Sequence, residues 1–374
     1  MRPLYRPLLL LFFVVMSLSA LSQDAVKVGV MLPLHNIDGD GRRMVEYYRG
    51  MLLACDELRR QGVSVDIHAW NVPADADIRR TLLEDGADKC DIIFGPLYSG
   101  QVKRLSDFCK VYDIKLVIPF SITGDDVLTN PNIFQVYRTP ESINADAIAA
   151  FLERFPDAHP VFIDCNDTTS KKGIFTFGLR KQLEALGREY SITNLTSGED
   201  KFLKAFSAEK PNVVVLNTGR SPELNVALAK IDGLCTSNPD IKVSLFGYTE
   251  WLIYTKSYLD YFHKYDTYIP TTFYYNALSK STVQVEEAYR RWFSSEMMRM
   301  YQPRFPLTGY DHAMYFIGGL HRYGKDFIGQ GTATLHPVQT PLKFKRAAEG
   351  GGLQNVSFLL VHYKPDHSIE SINY

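Results

Sequence analysis

Short β-rich runs alternate with amphipathic helical stretches along nearly the whole chain, which confines it to α/β architectures with parallel sheets covered by helices. Strand-like segments at 26–32, 63–70, 91–94, 114–118 and 133–136 are separated by helical patterns near 42–61, 75–83 and 102–112. In the first helix Met44, Tyr48, Met51, Leu52, Cys55 and Leu58 recur at helical spacing, with Gly62 as the stop. Thr139 and Pro140 follow the fifth strand and mark a crossing point. The pattern then restarts, with helices at 145–154, 174–186, 202–206 and 224–231 between strands at 161–164, 189–193, 213–216 and 243–246. A β-branched, aromatic segment at 266–272 returns the chain toward the first unit, and long helices fit 283–300 and 312–323. Strands at 342–345, 356–363 and 368–372 suggest a small antiparallel ending. The expectation is two layered lobes. Lobe 1 takes 23–139 and 269–333, lobe 2 takes 140–268, and the strands of 334–374 lie mostly with lobe 2.

The N-terminus has the form of an export signal. Arg2 and Arg6 precede an apolar run at 8–16, and Ser17, Ser19, Ala20 and Ser22 follow, placing cleavage after Ser22 and assigning 1–22 to the signal. That run is shorter than the ~20 residues of a spanning helix, and no second one follows, so no direct membrane insertion is expected after signal removal. No cysteine lies near the cleavage region to carry a lipid. The rest of the 374 residues exceeds the ~250–300 at which one core usually stops growing, which favours two domains. With 45% hydrophobic and 22% charged residues, neither disorder nor a membrane barrel is favoured. A formal net charge of −1, dispersed along the chain, offers no basic field for nucleic acid. Cys55, Cys90, Cys109, Cys165 and Cys235 form no CxxC pair and have no histidine-rich neighbourhood, so no zinc is expected. Most of them fall in apolar periodic segments, where a cysteine acts as a small buried hydrophobe.

In open α/β sheets ligands collect beyond the carboxyl ends of the strands, so the residues just after each strand carry the functional information. The loop FGPLYSGQV presents Tyr98 and Ser99, with Ser99 expected to cap the next helix and to offer its hydroxyl to an anion such as a carboxylate. IPFSITG presents Ser121 and Thr123. LFGYTEWLIY presents Tyr248, Thr249, Glu250 and Trp251, where Glu250 is the candidate for a ligand ammonium and, on the competing account, a favourable charge in the first turn of a helix. Asp38 and Asp40 in HNIDGDGRR fit a solvated loop better than a cation site.

The element order, the pair FGPLYSG and VIPFS, and the helix GYDHAMYFIGGL resemble the type I periplasmic binding proteins of the leucine/isoleucine/valine-binding group over nearly the whole chain beyond the signal. The resemblance implies two Rossmann-like lobes with parallel sheets joined by crossover strands, and a ligand cleft between them. More narrowly, LTNPNIFQV, LFGYTEW, YDTYI, LTGYDHAMYF and PVQTPLKFKR are similar to bacterial envelope proteins in which this module often follows lysin-motif domains. By resemblance Ser99, Ser121 and Thr123 hold a ligand carboxylate and Glu250 holds the amine. One departure is the loop NTGRSPELN, where Asn217, Thr218 and Arg220 stand in place of the aromatic residue that amino-acid binders commonly present.

No HExxH, GxSxG elbow, P-loop or strand-following GxGxxG is present, and His35, directly after an early strand, reads as structural. The expectation is therefore a periplasmic, non-catalytic solute-binding protein without a cofactor, closing its lobes on an amino-acid-like ligand, small peptide or wall fragment and serving a membrane transporter. The alternative is an envelope scaffold or regulator that docks a peptidoglycan-synthesis protein and uses the same fold without a small ligand.

Overall fold

The computed structural model describes residues 24–121, 124–298, 300–330 and 337–374; Thr123 and the segment 1–22, expected to be an export signal, lie outside them. The elements run β1 (Val26–Leu32), α1 (Gly39–Arg60), β2 (Val65–Asn71), α2 (Ile78–Leu82), β3 (Ile92–Phe94), α3 (Ser99–Val111), β4 (Lys115–Ile118), α4 (Asp126–Thr129), β5 (Ile133–Gln135), α5 (Pro140–Arg154), β6 (His159–Asp164), α6 (Gly173–Ala185) and β7 (Ser191–Asn194). They continue with α7 (Glu199–Leu203), β8 (Asn212–Leu216), α8 (Ser221–Ser237), β9 (Val243–Leu245), α9 (Thr255–Lys264), β10 (Thr267–Thr271), α10 (Lys280–Phe293), α11 (Phe305–Tyr323), β11 (Phe344–Arg346), β12 (Leu353–Asn355), β13 (Leu359–Tyr363) and β14 (Ile369–Asn373). The chain divides into two compact units, the first comprising residues up to Tyr137, Ala277–Val338 and Leu342–Asn355, the second Arg138–Asn276, Gln339–Pro341 and Val356–Tyr374.

In the first unit the sheet order is β11-β12-β5-β4-β3-β1-β2, parallel throughout except for the β11–β12 pair. Successive strand side chains point to opposite faces, and both faces here are buried. Val28, Val30, Leu32, Ile92 and Phe94 therefore feed one core, with Met44, Tyr47, Met51 and Phe316. Their neighbours Met31, Ile93, Leu116 and Ile118 feed another, with Ile78, Val102, Leu105 and Cys109. Helix α1 buries Met44, Tyr47, Met51, Ala54 and Leu58, so the most buried line is rotated toward Tyr47 and Ala54, with the expected Tyr48 and Cys55 packed partly buried against the same core. Gly50 explains the rotation: a Cβ there would lie 1.8 Å from the carbonyl oxygen of Pro306, so α1 and α11 pack backbone against backbone along this line.

In the second unit the order is β7-β6-β8-β9, all parallel, beside an antiparallel β10-β13-β14 ribbon. Phe246 bridges to Tyr268 and joins the two. Phe151, Phe162, Val214, Leu228, Trp251 and Phe262 belong to its core.

The segment expected to return the chain at 266–272 is β10, which stays in the second unit because it pairs with β13 over Thr267–Tyr363 to Thr271–Leu359. The strand expected at 356–363 is β13, which begins at Leu359 and pairs with β10 in the second unit, while the unexpected β12 just before it pairs with β5 in the first. The helix expected to reach residue 300 stops at Phe293, where Ser294 turns into the left-handed region at φ 50°. Helix α11 begins earlier than expected, at Phe305, with a proline in its first turn. All five cysteines are unpaired, and burial pushes the thiols of Cys55, Cys90 and Cys165 up to about 12. Among the described residues no helix is long and apolar enough to cross a membrane.

Candidate functional site

Each parallel sheet reverses its direction of growth once. From β1 the chain goes first to β2 and then to β3 on the other side; from β6 it goes to β7 and then to β8. At such switch points the flanking loops diverge beyond the strand ends and leave room for a ligand.

In the first unit the loops after β1 and β3 meet there. Gly95 turns the chain away from β3 at φ 143°, and a Cβ on it would lie 2.2 Å from the carbonyl oxygen of Met31, so only glycine lets this turn pass against β1. The following Tyr98 occupies the N-cap position of α3 without a side-chain cap bond. Ser99, expected as that cap, is instead the first helical residue and is exposed. A cap needs extended backbone, and Tyr98 has it at φ −100°, ψ 130°. The Tyr98 hydroxyl donates to Asp40 Oδ2 at 3.3 Å, and burial, followed by the Asp40 charge, raises its pKa. Asp40 also pairs with Arg43, whose guanidinium lies 5.5 Å from the ring centre of Tyr301. Asp38 caps α1 by accepting from the Gly41 amide at 2.7 Å. Ser121 is buried and donates to the carbonyl oxygens of Pro96 and Leu97, so its hydroxyl proton ties the loop after β4 to the loop after β3.

In the second unit the loops after β6, β8 and β9 form one polar network. Asn217 accepts from the Cys165 amide at 2.8 Å and donates to Asp164 Oδ1 at 2.9 Å, binding the end of β8 to the end of β6. Asp167, with a side chain only 1% exposed, accepts from Thr169 Oγ1 at 2.6 Å, Thr218 Oγ1 at 2.7 Å and Arg220 at 3.4 Å. The hydroxyls of Thr169 and Thr218 hold its carboxyl down at about 2. Ser170 donates to the Asn217 carbonyl at 2.7 Å. Tyr248 is buried, donates its hydroxyl to the Leu216 carbonyl, and carries the Lys172 ammonium 4.7 Å from its ring centre. Burial, with the Glu250 charge behind it, keeps that phenol well above its ordinary value. Glu250 sits in the first turn of the short helix Thr249–Tyr254, and its Oε1 meets Lys172 Nζ at 2.7 Å. Trp251 packs flat against Phe262 in the core.

The structure thus gathers Tyr98, Ser99 and Ser121 around one switch point and Asn217, Tyr248 and Glu250 around the other. The hydrogen-bonding groups of Ser121, Asn217 and Tyr248 and the Oε1 of Glu250 are engaged within the protein. Sequence reasoning missed Lys172, Asp167 and Thr169. Their signal was present, since CNDTTSKK directly follows β6 and the strand-end rule applies to it as to the other loops. Among the described residues no group of three or more His, Cys, Asp or Glu is placed to hold a metal.

No protein-family model and no curated protein matches the chain. Solved structures do match. A branched-chain amino acid ABC transporter protein from Rhodospirillum rubrum superposes with a TM-score of 0.61 at 16% identity, covering 93% of this chain and 100% of that one. A branched chain amino acid ABC transporter periplasmic ligand-binding protein from Burkholderia xenovorans LB400 gives 0.53 at 16% identity, covering 93% and 94%. An ABC transporter substrate-binding protein from Sphaerobacter thermophilus gives 0.52 at 15% identity, covering 94% and 97%. With its two parallel sheets and these neighbours, the chain has the type I periplasmic binding protein fold, an α/β fold that is typically non-catalytic.

Proposed function

We propose that this chain is a periplasmic solute-binding protein that holds a small organic ligand at its strand-end loops and passes it to a membrane transporter. The observation that carries the proposal is the concentration of polar side chains at the switch point of each parallel sheet: Asp40, Arg43, Tyr98 and Ser99 in one unit, Asp167, Lys172, Thr218 and Arg220 in the other. Fold neighbours named as transporter binding proteins support this reading, and the export-like N-terminus supports the compartment. The ligand is of amino-acid, short-peptide or wall-fragment size.

A thermal-shift screen of the mature protein against those three classes tests the proposal. A ligand at 100 times its dissociation constant adds ~2.7 kcal/mol to the stability of the folded state. Replacing Ser99 by Ala then weakens any ligand bound through a carboxylate; unchanged affinity would remove Ser99 from the site. A second reading has an observation of its own. Ser121, Asn217 and Tyr248 are tied into internal hydrogen bonds, as suits a scaffold or regulator of peptidoglycan assembly that keeps the fold without a ligand. The absence of a shift with every class tested favours that role.

A further inference from the structure

We infer that Lys172 sets the ligand class by neutralising Glu250, so that the second unit accepts ligands without an ammonium group and rejects free α-amino acids. The inference rests on the solute-binding reading above and narrows it.

A carboxylate recognises an ammonium by offering it an unpaired oxygen, and although the Glu250 side chain is 45% exposed, neither of its oxygens is both accessible and unpaired. Oε1 lies 2.7 Å from Lys172 Nζ. Oε2 is sealed from solvent and has no hydrogen-bond partner. Gly219 contributes to that seal: a Cβ at this position would lie 3.4 Å from Glu250 Cδ, 3.4 Å from Oε2 and 3.4 Å from Lys172 Cε, so the backbone of the loop after β8 lies directly against the pair. Lys172 is itself held, with its ammonium over the face of Tyr248, whose ring is fixed by the hydroxyl bond to Leu216. The other carboxylate in the loops after β6 and β8 is similarly engaged. Asp167 accepts from Thr169, Thr218 and Arg220, and Arg220 also approaches Glu223 at 3.6 Å. An arriving ammonium would therefore meet the Lys172 charge, side chain 29% exposed, in place of a free carboxylate. Because the pair is close to net neutral, an arriving ammonium gains no net attraction to offset the loss of its own hydration, which disfavours it against a ligand without the amine.

The test uses calorimetric titration with matched pairs that differ only in the amine: leucine against 4-methylpentanoate, and phenylalanine against 3-phenylpropanoate. The wild type, Lys172→Met and the double variant Lys172→Met/Glu250→Gln are compared, each checked for an unchanged circular dichroism spectrum. Methionine keeps an unbranched stem over Tyr248 and removes the charge. The wild type is expected to prefer the deaminated member at least tenfold, Lys172→Met to shift that preference toward the amine at least tenfold, and the double variant to lose the shift. A wild type that prefers the amino acid, or a Lys172→Met protein with an unaltered preference, overturns the inference while leaving the binding reading standing. If no member of either pair, and nothing in the wider screen, binds any of the three proteins, the binding reading fails and the inference falls with it.

Discussion

His312 converts burial into a measurable pH dependence. It lies in α11 with 1% of its surface exposed, its Nδ1 3.0 Å from the Tyr47 hydroxyl and its Nε2 buried without a partner. Burial lowers its pKa from 6.5 to about 3. The imidazole is then neutral in the folded protein at any pH above about 3, whereas the unfolded chain takes up a proton below about 6.5. The unfolded state binds more protons within that window, so stability is complete above it and falls as the pH drops through it. At pH 4.5, two units below the unfolded value, the loss is ~2.7 kcal/mol at ~1.36 kcal/mol per unit. His312→Gln removes the titration and retains a group able to bond Tyr47. Urea unfolding at pH 7 and pH 4.5, followed by fluorescence, should show the wild-type midpoint for the first unit falling ~1 M further than that of the variant, for a slope near 2–3 kcal/mol per molar. Carboxylates titrate in both proteins and cancel in the difference. Equal losses in the two would mean that the folded state protonates His312 normally, and the burial argument would be wrong.

Gly309→Ala places a methyl 1.9 Å from the Tyr47 carbonyl oxygen, so α1 and α11 must separate. The expected cost is about 3 kcal/mol, read as a Tm lower by roughly 6–12 °C; a change under 2 °C would contradict the close packing. Trp251→Ala empties a fully buried position against Phe262 and Tyr248 and should cost ~3–5 kcal/mol in chemical unfolding. Asp167→Asn should lower Tm at neutral pH, and the gap from wild type should narrow as pH falls from about 4 toward 2, because a carboxyl held at about 2 contributes stability above its unfolded value of 3.8 and loses it on protonation. A gap independent of pH would show that the Thr169 and Thr218 hydroxyls do not hold that charge.

Much of the architecture was legible because the signals are local. A strand buried on both faces must be apolar at every position, as in Asn212–Leu216 at VVVL, and a surface helix must repeat its apolar face every three or four residues. Strand-end loops follow from those assignments, and so Tyr98, Ser99, Ser121, Asn217, Tyr248 and Glu250 could be singled out from the sequence alone. Partnership was not legible. Whether Glu250 waits for a ligand or pairs with Lys172 depends on two loops 78 positions apart, brought together by the β6-β8-β9 order. The same limit applies to Tyr47 lying deeper than Tyr48 against the same core, since the helical repeat accepts either until Gly50 and Pro306 fix the line of contact.

The amino-acid sequence by itself determined the alternating elements, the two-sheet α/β class and the loops in which polar chemistry gathers, because each depends on residues within a few turns of chain. Tertiary structure alone decided that β12 and β13 separate into different sheets, that Tyr98 takes the cap position beside Ser99, and that Glu250 is already paired. Those outcomes depend on hydrogen bonds and charges between segments distant in sequence, whose free energies exist only once the backbone has brought them within a few ångströms.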